Sequence, residues 1–98
     1  MGYDFKWDKN KAAINLAKHK VSFEEGRTIF YDPFILTFPD EIHSATEDRL
    51  ISIGTSVNQK LLLVVHLEKE VTTEGTVIRI ISCRKATPAE RRFYEEGK

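Results

Sequence analysis

The stretch LLLVVHLEKEVTTEGTVIRIISC, residues 61–83, contains two apolar runs on either side of a polar segment. Aliphatic and β-branched residues fill the first run, 61–67, and the second, 76–83, and this composition is typical of buried strands. The polar segment between them, 68–75, contains Thr, Glu and Gly and predicts a hairpin loop. We therefore expect two neighbouring antiparallel strands at the centre of a sheet.

Shorter strands are predicted on the N-terminal side of this pair. Residues 3–7 alternate aromatic and charged side chains, which predicts a strand with its aromatic rings on one face. Residues 34–38 end at a Pro-Asp pair, and residues 49–55 follow a polar, acidic connector, 40–48. Both segments have the period of two that is typical of strands, and the short connections favour a mostly antiparallel meander.

Two helices are predicted between the first strand and the second. Asp8 suits an N-cap, and residues 9–19 have helical spacing with an apolar stripe. The residues of that stripe are Ala13, Leu16 and Ala17. Ser22 and Glu25 have the spacing of a capping box and predict a second helix over 23–30, which Asp32-Pro33 ends. Its core-facing residues are expected to be Phe23, Gly26, Ile29 and Phe30.

A third, short helix is predicted near the C-terminal end. Thr87 is the expected N-cap, Pro88 the first helical residue and Glu90 the capping-box partner. The helix is expected to run to about Glu96 and to end at Gly97. The predicted fold class is α+β, with two N-terminal helices packed on a four- to five-stranded, mostly antiparallel sheet and a short C-terminal helix.

Composition limits the class of protein. The chain has 98 residues, 41% hydrophobic and 31% charged, so we expect one globular domain over 1–98 rather than a disordered chain. No apolar run reaches the length of about 18 residues that a membrane span needs, and no signal peptide is expected. Cys83 is the only cysteine, which excludes an internal disulfide and makes a cytoplasmic protein the simplest expectation.

The charges are unevenly distributed although the formal net charge is +0. Residues 1–20 carry a net charge of +3, residues 21–75 carry −6, and residues 76–98 carry +3. If the two basic ends meet in space, they form a patch that attracts phosphates.

Several ionisable groups lie inside or beside the predicted central strands. His66 shares the alternation of Leu62 and Val64, and Arg79 is expected on one face with Val77, Ile81 and Cys83. Arg49 begins a neighbouring strand, and Arg84 ends the last one. An isolated charge is costly to bury, so such groups are either paired or placed in a cleft. Arginine suits phosphate oxygens, and histidine can move protons near neutral pH.

These residue types suit the cleavage of RNA by its own 2′-hydroxyl, which needs a base, an acid and positive charge at phosphorus but no metal. Structural roles stay open beside this hypothesis. His66 could be a hydrogen-bonded core histidine, and Arg79 could pair with Glu68. His43, in the acidic connector, is expected to take no part. No phosphate-binding glycine loop and no zinc-ligand spacing is present, so we expect neither a metal nor a cofactor.

A series of short motifs runs along nearly the whole chain. It begins with Phe5-Lys6-Trp7-Asp8, Lys18-His19 and Val21-Ser22-Phe23-Glu24-Glu25. It continues through Asp32-Pro33, Asp40, Glu47, Arg49, Ile53-Gly54 and Val65-His66, and ends with Ile78-Arg79-Ile80-Ile81-Ser82, Arg84, Glu90-Arg91-Arg92 and Tyr94-Glu95. In this order the motifs resemble those of the BrnT-type toxins. One departure is Lys20, which stands where the family usually has a helix-ending Gly.

This resemblance implies a toxin of a type II toxin–antitoxin system with a RelE-like fold. Such a toxin would cut RNA as an endoribonuclease, block translation, and be neutralised by a BrnA-type antitoxin through which it reaches operator DNA. The resemblance places catalytic candidates on His66, Arg79 and Arg84, with His66 as the proton-transfer group. RNA-binding candidates fall on Lys18, His19 and Arg49. We expect Arg91 and Arg92 to contact the antitoxin.

A second hypothesis keeps the fold and removes the catalysis. In this interpretation the chain is a toxin-like binding module that acts within an antitoxin and operator complex. The neutral net charge favours it, and so would a structural role for Arg79.

Overall fold

A computed structural model describes residues 2–43, 48–72 and 75–97. Its strands and helices follow one another along the chain as β1 Gly2–Lys6, α1 Lys9–His19, α2 Phe23–Gly26, a 3₁₀ turn Arg27–Tyr31, β2 Leu36–Pro39, β3 Leu50–Thr55, β4 Leu61–Thr72, β5 Gly75–Lys85 and α3 Pro88–Glu96. The strands form a 5-stranded sheet in the order β1-β5-β4-β3-β2. The predicted α+β class is confirmed.

The sheet is mixed rather than wholly antiparallel. β2, β3, β4 and β5 form the predicted meander, in which each strand runs antiparallel to the next. β1 lies parallel to β5 at the edge, with Lys6 opposite Arg79. The pairing of β1 with β5 brings the N-terminal segment next to the C-terminal part of the chain, which is the condition for the two basic ends to form one patch.

The central hairpin is longer than predicted. β4 continues to Thr72 and β5 begins at Gly75, so most of the segment 68–75 is strand rather than loop. Polar residues are compatible with this extension because backbone hydrogen bonds to the partner strand, rather than side-chain burial, hold the two strands together. Residues 73 and 74 of the predicted loop lie outside the described part of the chain, as do residues 44–47 of the connector before β3.

The two faces of the sheet are packed differently. On one, which we call the covered face, Leu62, Val64 and Ile80 pack against α2 and the 3₁₀ turn in the larger core cluster. The other, the open face, is covered only in part by α3. There Ile53, Leu63 and Tyr94 belong to a smaller cluster.

An irregularity in the β4–β5 pairing determines which side chains of β5 reach the open face. Val65 pairs with Ser82, but the next residue, His66, pairs with Ile80, so Ile81 is an extra residue in β5. Such a β-bulge reverses the alternation of side chains beyond it. Simple alternation predicted Cys83 on the same face as Arg79. Because of the bulge, Cys83 lies in the covered core instead.

Helix α1 has the predicted bounds and N-cap but presents a different face to the sheet. Asp8 Oδ1 accepts a hydrogen bond from the Lys11 backbone. The predicted stripe of Ala13, Leu16 and Ala17 is exposed, whereas Asn15 is only 6% exposed.

Asn15 is buried because it completes the edge of β5. Its amide nitrogen donates to the carbonyl of Cys83 at 2.8 Å and to that of Val21 at 3.1 Å, and its oxygen accepts from the Cys83 N–H at 3.1 Å. The side chain thus substitutes for a neighbouring strand where β1 has ended. The apolar pattern could not reveal this, because the residue that faces the core is polar.

The second predicted helix is confirmed over only half its length. Ser22 Oγ accepts from the Glu25 backbone, but α2 ends at Gly26 and becomes the 3₁₀ turn. The four predicted core residues are buried: Phe23, Gly26, Ile29 and Phe30. Glu25 does not close the capping box, since the bond that its carboxylate makes is with the Ser56 hydroxyl at 2.7 Å.

Helix α3 begins at its predicted cap, and Tyr94 holds it against the sheet. The predicted N-cap Thr87 and its partner Glu90 form a full capping box. The Tyr94 hydroxyl donates to Asp32 Oδ2, which also accepts from the Thr55 backbone at 2.8 Å. Asp32 therefore ends the 3₁₀ turn and at the same time ties β3 to α3.

We expect Asn15→Ala to destabilise the fold by about 3 kcal/mol, because it leaves buried backbone groups of Cys83 and Val21 without partners. Urea unfolding of the two proteins measures the difference. Asn10→Ala, the same substitution at an exposed position of the same helix, is the control and should change the midpoint little. Equal midpoints for the two variants would contradict the bridging role of Asn15.

Candidate functional site

A groove of about 550 Å³ lies on the open face, between the sheet and α3. Its floor is apolar and consists of Ile51, Ile53, Leu63, Val65 and Ile81. Its rim carries charged and polar side chains from three parts of the chain: Asp40, His43, Arg49, Ser82, Arg84 and Glu90. Apolar grooves with a few polar groups on one side are the usual form of a ligand site.

The end of β2 and the start of β3 form one side of the groove. The Asp40 N–H donates to the Arg49 carbonyl at 2.9 Å, which continues the β2–β3 ladder by one residue. The His43 N–H donates back to the Asp40 carbonyl, so the chain turns here and brings the two side chains together. His43 Nδ1 lies 3.2 Å from Asp40 Oδ2 and 3.3 Å from Asp40 Oδ1.

Strand β5 and helix α3 form the opposite side. Arg84 donates to both carboxylate oxygens of Glu90, at 2.8 and 2.9 Å, and Glu90 Oε1 also accepts from the Thr87 backbone. The hydrogen bond from Arg84, followed by those from Thr87, lowers the pKa of Glu90 to about 2. The ring of Phe93 in α3 meets that of Phe38 in β2 edge to face at 5.8 Å, so the two sides are in contact there.

A row of basic side chains crosses the open face beside the groove. Lys6 in β1 is opposite Arg79 in β5, and Arg79 is opposite Leu67 in β4. Leu50 pairs with His66, so the continuing antiparallel register brings Arg49 opposite Leu67. Since neighbouring strands lie about 4.8 Å apart, the backbones of Arg49 and Arg79 are roughly 10 Å apart.

Arg79 is exposed, and among the described residues it makes no ion pair. The alternative of a pair with Glu68 is wrong, because Glu68 is opposite Ile78 and so faces the other side of the sheet. The Arg79 guanidinium is thus available to a ligand on the open face.

His66 lies on the covered face and is fully buried, so the structure does not bring it together with Arg79 and Arg84. Its Nε2 hydrogen-bonds the Ser52 hydroxyl at 2.7 Å, and its ring meets that of Phe30 edge to face. Nδ1 has no hydrogen-bond partner and is 3.8 Å from a Glu68 carboxylate oxygen. Burial lowers the pKa of His66 to about 4. A contact between this ring and RNA is not possible in this conformation.

The remaining predicted residues lie around the groove rather than in it. Lys18 and His19 line a smaller cavity of about 220 Å³ at the edge of β5, which shares Ile81 and Ser82 with the groove. Arg91 and Arg92 are exposed on α3, the helix that carries Phe93.

Sequence reasoning missed the pair Asp40 and His43. His43 in the acidic connector was expected to take no part and Asp40 was given no role, whereas the structure puts both side chains on the groove. The available signal was the spacing of Asp and His three residues apart immediately after a Pro-terminated strand, a spacing that a turn can bring into contact.

Comparison with known proteins assigns the family. Residues 7–90 match the family described as "Ribonuclease toxin, BrnT, of type II toxin-antitoxin system". The chain belongs to the BrnT family of ribonuclease toxins. A crystal structure of the Brucella abortus ribonuclease toxin BrnT is similar, with a TM-score of 0.60 and 26% identity over 89% of this chain and 99% of that one. None of the curated proteins matches.

Membership of this family makes the chain a toxin whose class has an antitoxin partner. In the described part of the chain, no group of three or more His, Cys, Asp and Glu side chains could hold a metal ion. Over the same residues, no helix is both long and apolar enough to cross a membrane.

The buried His66 predicts a loss of stability in acid. The unfolded chain takes up this proton near pH 6.5 and the folded chain only near pH 4, so folding becomes weaker as the pH falls between these values. The loss amounts to about 3 kcal/mol. Unfolding free energies measured at pH 7, 5.5 and 4 test this.

His66→Gln removes the ionisable ring and keeps a polar group near Ser52, so its stability should depend less on pH over this interval. His19→Gln, which replaces a partly exposed histidine, is the control and should follow the wild type. A wild-type profile that is flat from pH 6.5 to 4 would contradict the assignment.

Proposed function

We propose that the chain cleaves RNA on the open face, with the substrate's phosphates along the row Lys6, Arg79 and Arg49 and a nucleotide in the groove. The observation that carries this proposal is the exposed, unpaired Arg79 between other basic groups on a face that only α3 partly covers. The family description, a ribonuclease toxin, supports it.

The chemistry that suits this face is attack by the RNA's own 2′-hydroxyl. The new bond joins the 2′ oxygen to phosphorus, the bond from phosphorus to the 5′ oxygen breaks, and the products are a cyclic phosphate and a free 5′-hydroxyl. The reaction needs positive charge around the phosphorus, which arginine guanidinium groups supply, and it needs no metal. The chain would thus be a metal-independent endoribonuclease.

The arginines of the site have different surroundings and so different proposed roles. Arg79 and Arg49 would contact phosphate and stabilise the charge that develops in the transition state. Arg84, already bound by Glu90, would hold α3 in place and so keep the groove in shape. Lys18 and His19 would guide the RNA strand as it leaves the groove across the edge of β5.

The groove rings suit a nucleobase. The edge-to-face pair Phe38 and Phe93 forms part of an apolar surface beside the basic row. Stacking of a base on an aromatic side chain contributes about 1–3 kcal/mol and tolerates different bases. Such a site would bind single-stranded rather than double-helical RNA, because stacked, paired bases are not accessible to it.

The antitoxin would cover the same face. A BrnA-type antitoxin with an acidic, amphipathic segment would fit the apolar floor and the basic rim, and Arg91 and Arg92 on α3 would extend this contact. Through the antitoxin the complex would reach operator DNA. Free toxin would act in the cytoplasm, where cleavage of messenger RNA blocks translation.

Arg79→Ala should reduce the rate of RNA cleavage by about 100-fold or more, because it removes a charge that contacts the reacting phosphate. The measurement is cleavage of a labelled single-stranded RNA by the purified, antitoxin-free protein. Arg27→Ala is the matched control, since Arg27 is also exposed but lies on the 3₁₀ turn that packs against the covered face. Equal rates for the two variants would place the reaction elsewhere.

A non-catalytic binding module is the second candidate function. The observation in its favour is that two predicted catalytic groups are not free for catalysis: His66 is buried, and Arg84 is bound by Glu90. In this case the chain binds antitoxin tightly but cleaves neither free RNA nor RNA on translating ribosomes. Cleavage above the level of the Arg79→Ala preparation excludes this alternative.

A further inference from the structure

The groove contains an imidazole in the arrangement of a general base. His43 is 62% exposed at its side chain, whereas the Asp40 side chain beside it is only 9% exposed. A buried carboxylate next to an exposed imidazole holds one ring nitrogen and leaves the other outside that contact. This is the arrangement in which a carboxylate orients a catalytic histidine.

The hydrogen bond decides which nitrogen can act. Nδ1 is the atom within 3.2 Å of the Asp40 carboxylate, so it carries the hydrogen and donates. The tautomer that follows leaves the lone pair of Nε2 unused and outside the contact with Asp40. A ring nitrogen whose lone pair is not used by a neighbouring group is what a proton-transfer step requires.

The surroundings of His43 match the reaction proposed above. Arg49 lines the same side of the groove and belongs to the basic row, so a phosphate bound by Arg49 would share the groove with the imidazole. From the opposite side the groove is lined by the ion pair of Arg84 and Glu90, whose charges offset each other at His43. Of the three histidines in the chain, His66 is buried and His19 lies outside the groove.

We propose that His43, oriented by Asp40, takes the proton of the RNA 2′-hydroxyl in the groove. This inference rests on the proposed function and assigns the base that His66 cannot provide. The 2′ oxygen bonds to phosphorus as its proton moves to Nε2. The 5′ oxygen leaves with a proton from water, and the hydroxide that remains takes the proton from the imidazolium, which restores the base.

Asp40 is a positioning residue in this scheme. It touches the imidazole and not the RNA, fixes the tautomer through Nδ1, and stabilises the imidazolium that forms during the reaction. The hydrogen bond from the Asp40 N–H to the Arg49 carbonyl fixes the position of the proposed base relative to the phosphate-binding arginine.

The test uses His43→Gln and Asp40→Asn in the full chain, with Glu41→Gln as the control because Glu41 is an exposed residue of the same turn. Two quantities are measured. The first is the cleavage rate of a single-stranded RNA over a range of pH. The second is the affinity for the same strand with 2′-deoxy sugars, which cannot react.

We expect His43→Gln to lose at least 100-fold in cleavage rate and to keep wild-type affinity for the deoxy strand. The acid limb of the wild-type pH–rate profile should be absent in this variant and shifted in Asp40→Asn. Free imidazole added to His43→Gln should restore part of the rate. Thermal unfolding confirms that each variant is folded, and Glu41→Gln should behave as the wild type.

Three outcomes would overturn the proposal. If the wild type cleaves RNA and His43→Gln does so at the same rate with the same pH profile, the base is another group and the proposed function stands. If His43→Gln loses affinity and rate in equal measure, His43 binds RNA and does not transfer the proton. If the wild type cleaves neither free nor ribosome-bound RNA, the proposed function itself fails.

Discussion

The extra residue Ile81 in β5 is the constraint on which the open face depends. Arg79 and Arg84 are five positions apart, so in a regular strand their side chains would point to opposite faces of the sheet. The bulge opposite Val65 and His66 changes this parity and brings both arginines to the open face. The same shift turns Cys83 into the covered core. One extra residue in β5 therefore places both arginines on the open face and Cys83 in the covered core.

Local chemistry explains most of what the sequence could predict. Helices α1 and α3 begin at Asp8 and Thr87 because each side chain accepts a bond from a free backbone N–H three residues later. Lys20 shows the same locality: it ends α1 in a left-handed conformation, with φ 61, where a Gly would be unstrained. Such features depend on residues within one helical turn of each other, so they can be predicted from the sequence.

What the sequence could not predict depends on partners far along the chain. The buried face of α1 is set by Asn15, whose bonds to Cys83 span 68 positions. The parallel pairing of β1 with β5 and the bulge at Ile81 also depend on residues distant in sequence. The placement of the two histidines is hidden for the same reason. The resemblance put the proton-transfer role on His66, for which a core role stayed open, and His43 was expected to take no part. Only the fold shows that the first is enclosed and the second borders the groove.

The ion pair in the groove wall and the buried histidine of the covered face both keep their charge state near neutral pH. Glu90 keeps its charge down to about pH 2 because Arg84 and Thr87 donate to it. The wall that α3 forms is therefore unchanged over the range of about pH 5 to 8 in which histidines usually titrate. The buried His66 takes up its proton only near pH 4, at the acid end of the stability range. Neither the Arg84–Glu90 wall nor the buried His66 therefore changes its charge near neutral pH, and among the described residues that line the groove His43 is the one histidine.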